Sequence, residues 1–344
     1  MTAKRLGALG TLVRDTIHLP EGTEAGPSMG WGGIAYGLEA LEVALPSHWE
    51  VIPLVRVGAD RVEDARAFLG GLGRAGSLAG VRQVPEETNR VEIRYRPDGS
   101  RTERLSGGVP PWPSAEVADA ARGLDALYVN FISGFELELE GAEALREAYA
   151  GPIYADLHSL FLSVDRQGFR RPQALPHRDR WLQAFDAVQV NEEEFRLLAG
   201  GAGEAWHLAA QAVCGPLHIL AVTLGRRGAA TLASETEPAH PLAWGPRSTY
   251  RGAERPVRRF APSVPPNGAG RSDPTGCGDV WGATFFARLL AGDPQRRAMA
   301  EANRSAGCAA AHRGAEGLRD ALTAASAGGS GSARRSGGPE RRRR

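Results

Sequence analysis

Asp273-Pro274-Thr275-Gly276-Cys277-Gly278-Asp279 runs directly into a helix-like apolar pattern of Val280, Trp281, Ala283, Phe285, Phe286, Leu289 and Leu290. Two glycines around one small residue, just ahead of a helix, leave backbone N–H groups free at its N-terminus. The macrodipole favours an anion there. Gly276 and Gly278 permit close approach to that anion, and Asp279 is placed for its carboxylate to face whatever the N–H groups hold. An anion hole beside a general base is what phosphoryl transfer to a hydroxyl needs. The competing reading is plain helix capping, for which Asp or Thr is ordinary.

Composition narrows the choice. The 344 residues, 42% hydrophobic, can bury one large α/β core or two smaller ones. The net charge of +1 is uneven: residues 328–344 hold six Arg and one Glu, net +5, so residues 1–327 stand at −4. A mildly acidic body argues against nucleic acid as a partner. Lys4 is the single lysine, which excludes a P-loop lysine, a protein-kinase strand lysine and a mid-chain Schiff base. Cys214, Cys277 and Cys308 lie far apart without metal-binding spacing, so a reducing, cytoplasmic setting is expected. The run from Leu6 to Val13 is short and ends at Arg14-Asp15, reading as a first strand and not a leader. No run approaches the ~18 apolar residues of a membrane span.

Working outward along the chain, residues 5–13 read as a strand, 34–45 as a helix opened by Gly32-Gly33, 51–58 as a buried strand and 62–72 as a helix. Residues 88–96 and 101–105 alternate around a Pro97-Asp98-Gly99-Ser100 turn, the pattern of a two-faced antiparallel hairpin. Alternation of helix and strand then resumes: helices at 115–123, 140–149, 191–198 and 205–213, strands at 126–131, 152–157, 187–190, 217–224 and 229–233. This predicts a mostly parallel sheet with helices on both faces. Residues 234–272 are rich in Pro, Gly and Arg without a clean period and read as an irregular insertion. Residues 324–344 read as a disordered Ser/Gly/Arg-rich tail. Two apparent motifs are set aside. Gly71-Leu72-Gly73-Arg74-Ala75-Gly76 ends a helix instead of following a strand, and Gly26-Pro27-Ser28-Met29-Gly30 has no apolar strand before it.

The stretch Asp273–Asp279 resembles the C-terminal signature of the PfkB-type, ribokinase-like carbohydrate kinases, and four weaker matches fall in the same order. The resemblance covers roughly residues 5–322. It implies an α/β ribokinase-like kinase domain over 1–323 with a small β lid from about 15–30 and 80–108. The implied activity is ATP-dependent transfer of the γ-phosphate to a hydroxymethyl group of a sugar or nucleoside, with Asp279 as base and the Gly276-Cys277-Gly278 backbone as anion hole. The resemblance assigns Asn191 and Glu194 to an Asn-x-x-Glu motif whose carboxylate supports Mg²⁺ through water. It places Thr223, Gly225, Gly228 and Asn303 along ATP, and Asp15, Gly32 and Gly33 around the acceptor. A monovalent cation, potassium, is implied beside Asp273 and Thr275. The expected self-association is a homodimer through the lid. This sequence departs from the pattern after its glycine pair, where Ile34, Tyr36 and Gly37 replace sugar-fixing Asn or Lys, and at Cys277, where Ala is common. Two alternatives stand beside this reading: a binding or regulatory protein of the same fold, and a vitamin-type kinase acting on a ring hydroxymethyl group.

Overall fold

A strand buried on both faces must be apolar throughout, and the first strand, β1 (Lys4–Gly10), meets that demand from Leu6 onward. In the computed structural model, which describes residues 3–20, 26–98, 100–200, 205–213, 215, 217–234, 240–244, 255–265 and 273–329, this strand lies inside a nine-stranded sheet. The expected single strand over 5–13 is divided. At Gly10 a Cβ would press on Ile34 and the Asn130 carbonyl, and Thr11 Oγ1 donates to Glu136 Oε1 at 2.7 Å. Beyond that bend β2 (Leu12–His18) leaves for a second sheet, where β3 (Ser28–Gly33) pairs with it antiparallel.

Helix α1 (Ile34–Ala44) returns the chain to the main sheet, followed by β4 (Trp49–Gly58), α2 (Val62–Gly70) and β5 (Val81–Val84). The hairpin of β6 (Arg90–Tyr95) and β7 (Arg101–Ser106) completes the second sheet, whose order is β3-β2-β6-β7. Val13, Ile17, Val91 and Ile93 form its small core over Ile132, just beyond the C-terminal end of Ala126–Asn130, an interior strand of the larger sheet. Next come α3 (Ser114–Ala120), β8 (Ala126–Asn130), α4 (Leu139–Ala148) and β9 (Ile153–Asp156). A short hairpin, β10 (Leu162–Val164) with β11 (Arg170–Pro172), precedes α5 (Arg178–Ala184). Then follow β12 (Ala187–Asn191), α6 (Glu192–Leu198), α7 (Ala205–Val213), β13 (Ile219–Thr223) and β14 (Ala229–Ser234).

Two differences from the sequence reading concern the C-terminal part. Within the expected insertion, Pro256–Ala261 forms β15, which pairs antiparallel with β14 and ends the sheet. Among the described residues, 234–272 therefore contributes a strand, while 235–239, 245–254 and 266–272 lie outside the described residues. After α8 (Cys277–Leu290) and α9 (Gln295–Ala309), α10 (Leu318–Gly329) continues through positions expected to begin the tail; 330–344 lie outside the described residues.

The sheet order is β15-β14-β13-β12-β9-β8-β1-β4-β5, parallel from β13 through β5, with β14 alone running opposite and pairing antiparallel with both β13 and β15. Period-two alternation assigns each strand's side chains to opposite faces. In β8, Ala126 and Tyr128 point toward α1 and α8, whereas Leu127 and Val129 point toward the other helical layer. Helix α8 lies across the centre of its face: Phe286 stacks on Tyr154 at 5.2 Å between centroids, and Trp281 on Phe285 at 4.8 Å. Burying each such aromatic ring contributes ~1.5–3 kcal/mol. That packing holds the N-terminus of α8 over the C-terminal ends of the strands, where open α/β sheets place their ligands.

Candidate active site

The ends of neighbouring parallel strands present a row of polar side chains. Asn130 closes β8, Asp156 closes β9, Asn191 closes β12 and Thr223 closes β13; the register pairs Asn130 with Asp156 and Asn191 with Thr223. Above them α8 begins. Gly276 takes a left-handed conformation (φ 76°), which turns the chain into the helix and lays it against Tyr36; a Cβ at Gly276 would stand 2.3 Å from the Tyr36 ring. Asp273 Oδ1 accepts from Thr275 N at 2.9 Å and fixes the approach to the turn. Gln189 holds the other end, donating to the Gly278 carbonyl at 3.0 Å and to Asp156 Oδ2 at 2.7 Å, while Tyr154 donates to its Oε1.

Asp279 lies in the first turn of α8, and Asn130 donates to its Oδ1 at 2.7 Å. Asp279 shares a cavity of about 250 Å³ with Asp15, Tyr36, Asp156, His158, Asn191, Glu194 and Thr223. Val13, Val91, Ile93 and Ile132 form an apolar wall, and Arg101, Glu103 and Arg170 a charged one. Burial raises the Asp279 carboxyl above its ordinary range, opposed by the Asn130 hydrogen bond and the nearby His158 charge. Burial, followed by the charges of Asp279 and Glu103, pushes Asp15 up to about 8. Asp156 reaches about 8 by burial and by Asp279 and Glu194. Burial alone would lower His158, yet the Glu194 carboxylate that bonds its Nδ1 carries it to about 9.

No family model matches the chain, and no curated protein matches it. Solved structures do. A nucleoside kinase from Burkholderia thailandensis in complex with inosine superposes with a TM-score of 0.68 at 18% identity, covering 93% of this chain and 96% of that one. A ribokinase from Arabidopsis thaliana complexed with ribose and ATP gives 0.64 at 18%, covering 94% and 99%. A pyrophosphate-dependent kinase in the ribokinase family, complexed with a pyrophosphate analog and myo-inositol, gives 0.66 at 16%, covering 93% and 99%. The chain has the ribokinase-like fold.

On this ribokinase-like scaffold the sequence-predicted residues separate into two groups. Asp15, Gly33, Asn191, Glu194, Thr223, Thr275, Gly276, Gly278 and Asp279 all line the one cavity. Gly32 sits behind Asp15, where a Cβ would fall 1.7 Å from Oδ2, and Gly33 (φ 63°) turns the chain into α1. Cys277 begins α8; burial pushes its thiol up to about 12, so the side chain is un-ionised, and its N–H donates to the Pro274 carbonyl at 3.3 Å. Gly225 (φ 56°) and Gly228 (φ 108°) shape the turn after β13.

Asn303 is engaged elsewhere. Its Nδ2 donates to the carbonyls of Ala261 and Pro262 at 3.0 and 2.7 Å, and its Oδ1 accepts from Trp281. Both N–H donors tie α9 to the end of β15. Glu194 is likewise occupied. Its Oε2 accepts from Asn191 N at 2.7 Å in a capping box, and its Oε1 meets Asn191 Nδ2 and the His158 ring. Support of hydrated Mg²⁺ from Glu194 would have to share its carboxylate with His158 and Asn191. At the place expected for potassium, Asp273 Oδ1 accepts from Thr275 N and the Thr275 hydroxyl pairs with Tyr95. Among the described residues, no group of three or more His, Cys, Asp or Glu is arranged to hold a metal.

Asn130, Asp156, His158, Gln189, Arg101, Glu103 and Arg170 were missed. One signal for the first two was present: each is a polar residue ending an apolar strand. Asp15, 6% exposed, carries a stability prediction. Its folded pKa lies above the unfolded 3.8, so the neutral form is the stable one and stability is lost as pH rises toward about 8. Asp15→Asn is expected to raise the Tm, with an advantage that grows from pH 4 to pH 8 and reaches on the order of a few kcal/mol. Thermal melts across that range check it; an advantage greatest at pH 4 would contradict the burial argument.

Proposed function

We propose that this chain is a phosphotransferase that moves the γ-phosphate of ATP to a hydroxymethyl group of a sugar or nucleoside. The observation that carries the reading is Asp279: a buried carboxylate in the first turn of α8, held by Asn130 and sharing one cavity with Asp15. The acceptor hydroxyl gives its proton to Asp279 while its oxygen bonds to the γ-phosphorus. The bond from that phosphorus to the β–γ bridging oxygen breaks, and ADP leaves. The N–H groups of Gly276 and Gly278, with the helix dipole behind them and the Cys277 N–H once it leaves the Pro274 carbonyl, stabilise charge on the phosphoryl oxygens. Asp15 fixes other acceptor hydroxyls, and the second sheet acts as the lid that excludes water. General-base help is worth ~10²–10⁴-fold.

The solved neighbours support this reading by what they bind: inosine in one, ribose with ATP in another, a pyrophosphate analog with myo-inositol in a third. A cytoplasmic setting and a lid-to-lid homodimer belong to the same proposal; among the described residues no helix is long and apolar enough to cross a membrane. The test is phosphate transfer from ATP, with pyrophosphate as a second donor, across pentoses, hexoses, inositols and nucleosides. We expect turnover on one acceptor class with ATP. Binding of ATP without turnover on any acceptor would favour the regulatory alternative, and failure to bind either donor would overturn the proposal.

A further inference from the structure

The lid and the anion-holding loop meet at a point that the transfer step does not itself require. Tyr95, the last residue of β6, brings its hydroxyl to 2.8 Å from Thr275 Oγ1. Arg101 Nη1 lies 3.4 Å from the same phenol oxygen. Arginine only donates, so the phenol oxygen accepts from Arg101, while either hydroxyl can be the donor between Tyr95 and Thr275. The chain of contacts continues through the lid: Arg101 pairs with Glu103 at 2.6 Å, and Glu103 with Arg170 at 3.5 Å. Arg170 donates to the carbonyls of Ile132 and Ser133 at 2.7 and 3.2 Å. A continuous polar strap thus crosses the cavity, from the loop before α8 to the segment after β8.

We propose that Tyr95 is a positioning residue that latches the lid to the anion-holding loop, so that the Gly276–Gly278 N–H groups are held in place only when the lid is closed over the acceptor. The proposal rests on the phosphotransfer reading above. Thr275 is the joint. Its N–H is fixed by Asp273, its hydroxyl by Tyr95, and the left-handed turn at Gly276 follows immediately. The lid's own core is small, with Val13, Ile17, Val91 and Ile93 packed on Ile132. A single well-placed bond at its tip therefore has weight in setting the closed fraction. Asp15 stands on β2, a strand of the lid sheet itself, and Asp279 on α8, so loss of the latch falls on acceptor binding and on turnover together.

Tyr95→Phe and Thr275→Val each remove one partner, and Thr275→Ser keeps the hydroxyl. Two measurements separate the latch from the reaction: steady-state kinetics, and hydrogen exchange of the amides at 90–106. Each single removal is expected to lower kcat/KM for the acceptor roughly three- to tenfold, the change one neutral hydrogen bond commands. The double variant should be no worse than either single, and Thr275→Ser should keep most of the rate. Exchange at 90–106 should quicken in the Phe and Val variants with Tm unchanged. Additive kinetic losses, or exchange equal to that of the parent, would overturn the latch. If the parent transfers no phosphate, the functional reading fails by itself, and the exchange result still decides whether Tyr95 holds the lid.

Discussion

Asp279→Asn is expected to reduce kcat by ~10²–10⁴-fold with little change in Tm. The substitution keeps the size of the side chain and its place in the first turn of α8, so packing is preserved. What the proposed mechanism loses is its proton acceptor. Stability should hold or rise at neutral pH, because burial already disfavours the charged carboxyl and the amide removes that cost. The same shift predicts the pH profile of the parent. A raised pKa means that the base is protonated over a wider acid range, so the rate should fall on acidification from above the ordinary carboxylate value. Asn130→Ala removes the hydrogen bond that favours the charged form and should move this acid limb to higher pH. Rate–pH profiles of the parent and Asn130→Ala, with the Asp279→Asn rate and melting curve, check the three statements together.

Gly276→Ala is expected to be nearly as damaging, for a geometric reason. The residue sits at φ 76°, where an L side chain costs ~1–2 kcal/mol. The added Cβ would also stand 2.3 Å from the ring of Tyr36, which is 3% exposed and packed in the hydrophobic core. The turn must shift, and the N–H groups at the start of α8 shift with it. Displacing an oxyanion donor typically costs ~10²–10³-fold in kcat. Gly278→Ala is the matched control: the nearest atom to its Cβ would be Gln189 Nε2 at 3.8 Å, an ordinary contact, so its effect should be far smaller. Equal losses in the two alanine variants would contradict this account of the loop.

Much of the site was legible because its chemistry is compressed into seven consecutive residues. Asp273–Asp279 combines glycine conformational freedom, a helix start and a carboxylate, and all three are local properties that the structure retains. The parallel sheet was legible through its apolar runs, which a strand buried on both faces requires. The opposite wall of the cavity was not. Arg170 belongs to the three-residue strand β11, too short for any periodicity, and His158 to a single 3₁₀ turn. Their positions follow from long-range contacts: β11 packs beside β7, and His158 finds Glu194 across 36 residues. Strand β15 was hidden for another reason. At the edge of the sheet, its alternation is carried by Val257, Arg258, Arg259 and Phe260, so charge masks the apolar signal. Asn303 shows the converse: its place late in the chain matched the expected pattern, yet its amide is engaged by two backbone carbonyls.

The central claim is that Asp279 takes a proton from an acceptor hydroxyl as the γ-phosphate of ATP moves to that oxygen. Phosphorus NMR of the protein with ATP and the acceptor class selected by the transfer assay tests it most directly. The account predicts a phosphomonoester resonance that grows in step with ADP for the parent and is lost in Asp279→Asn. ADP formed with inorganic phosphate alone, or a phosphomonoester formed equally fast by both proteins, would contradict it.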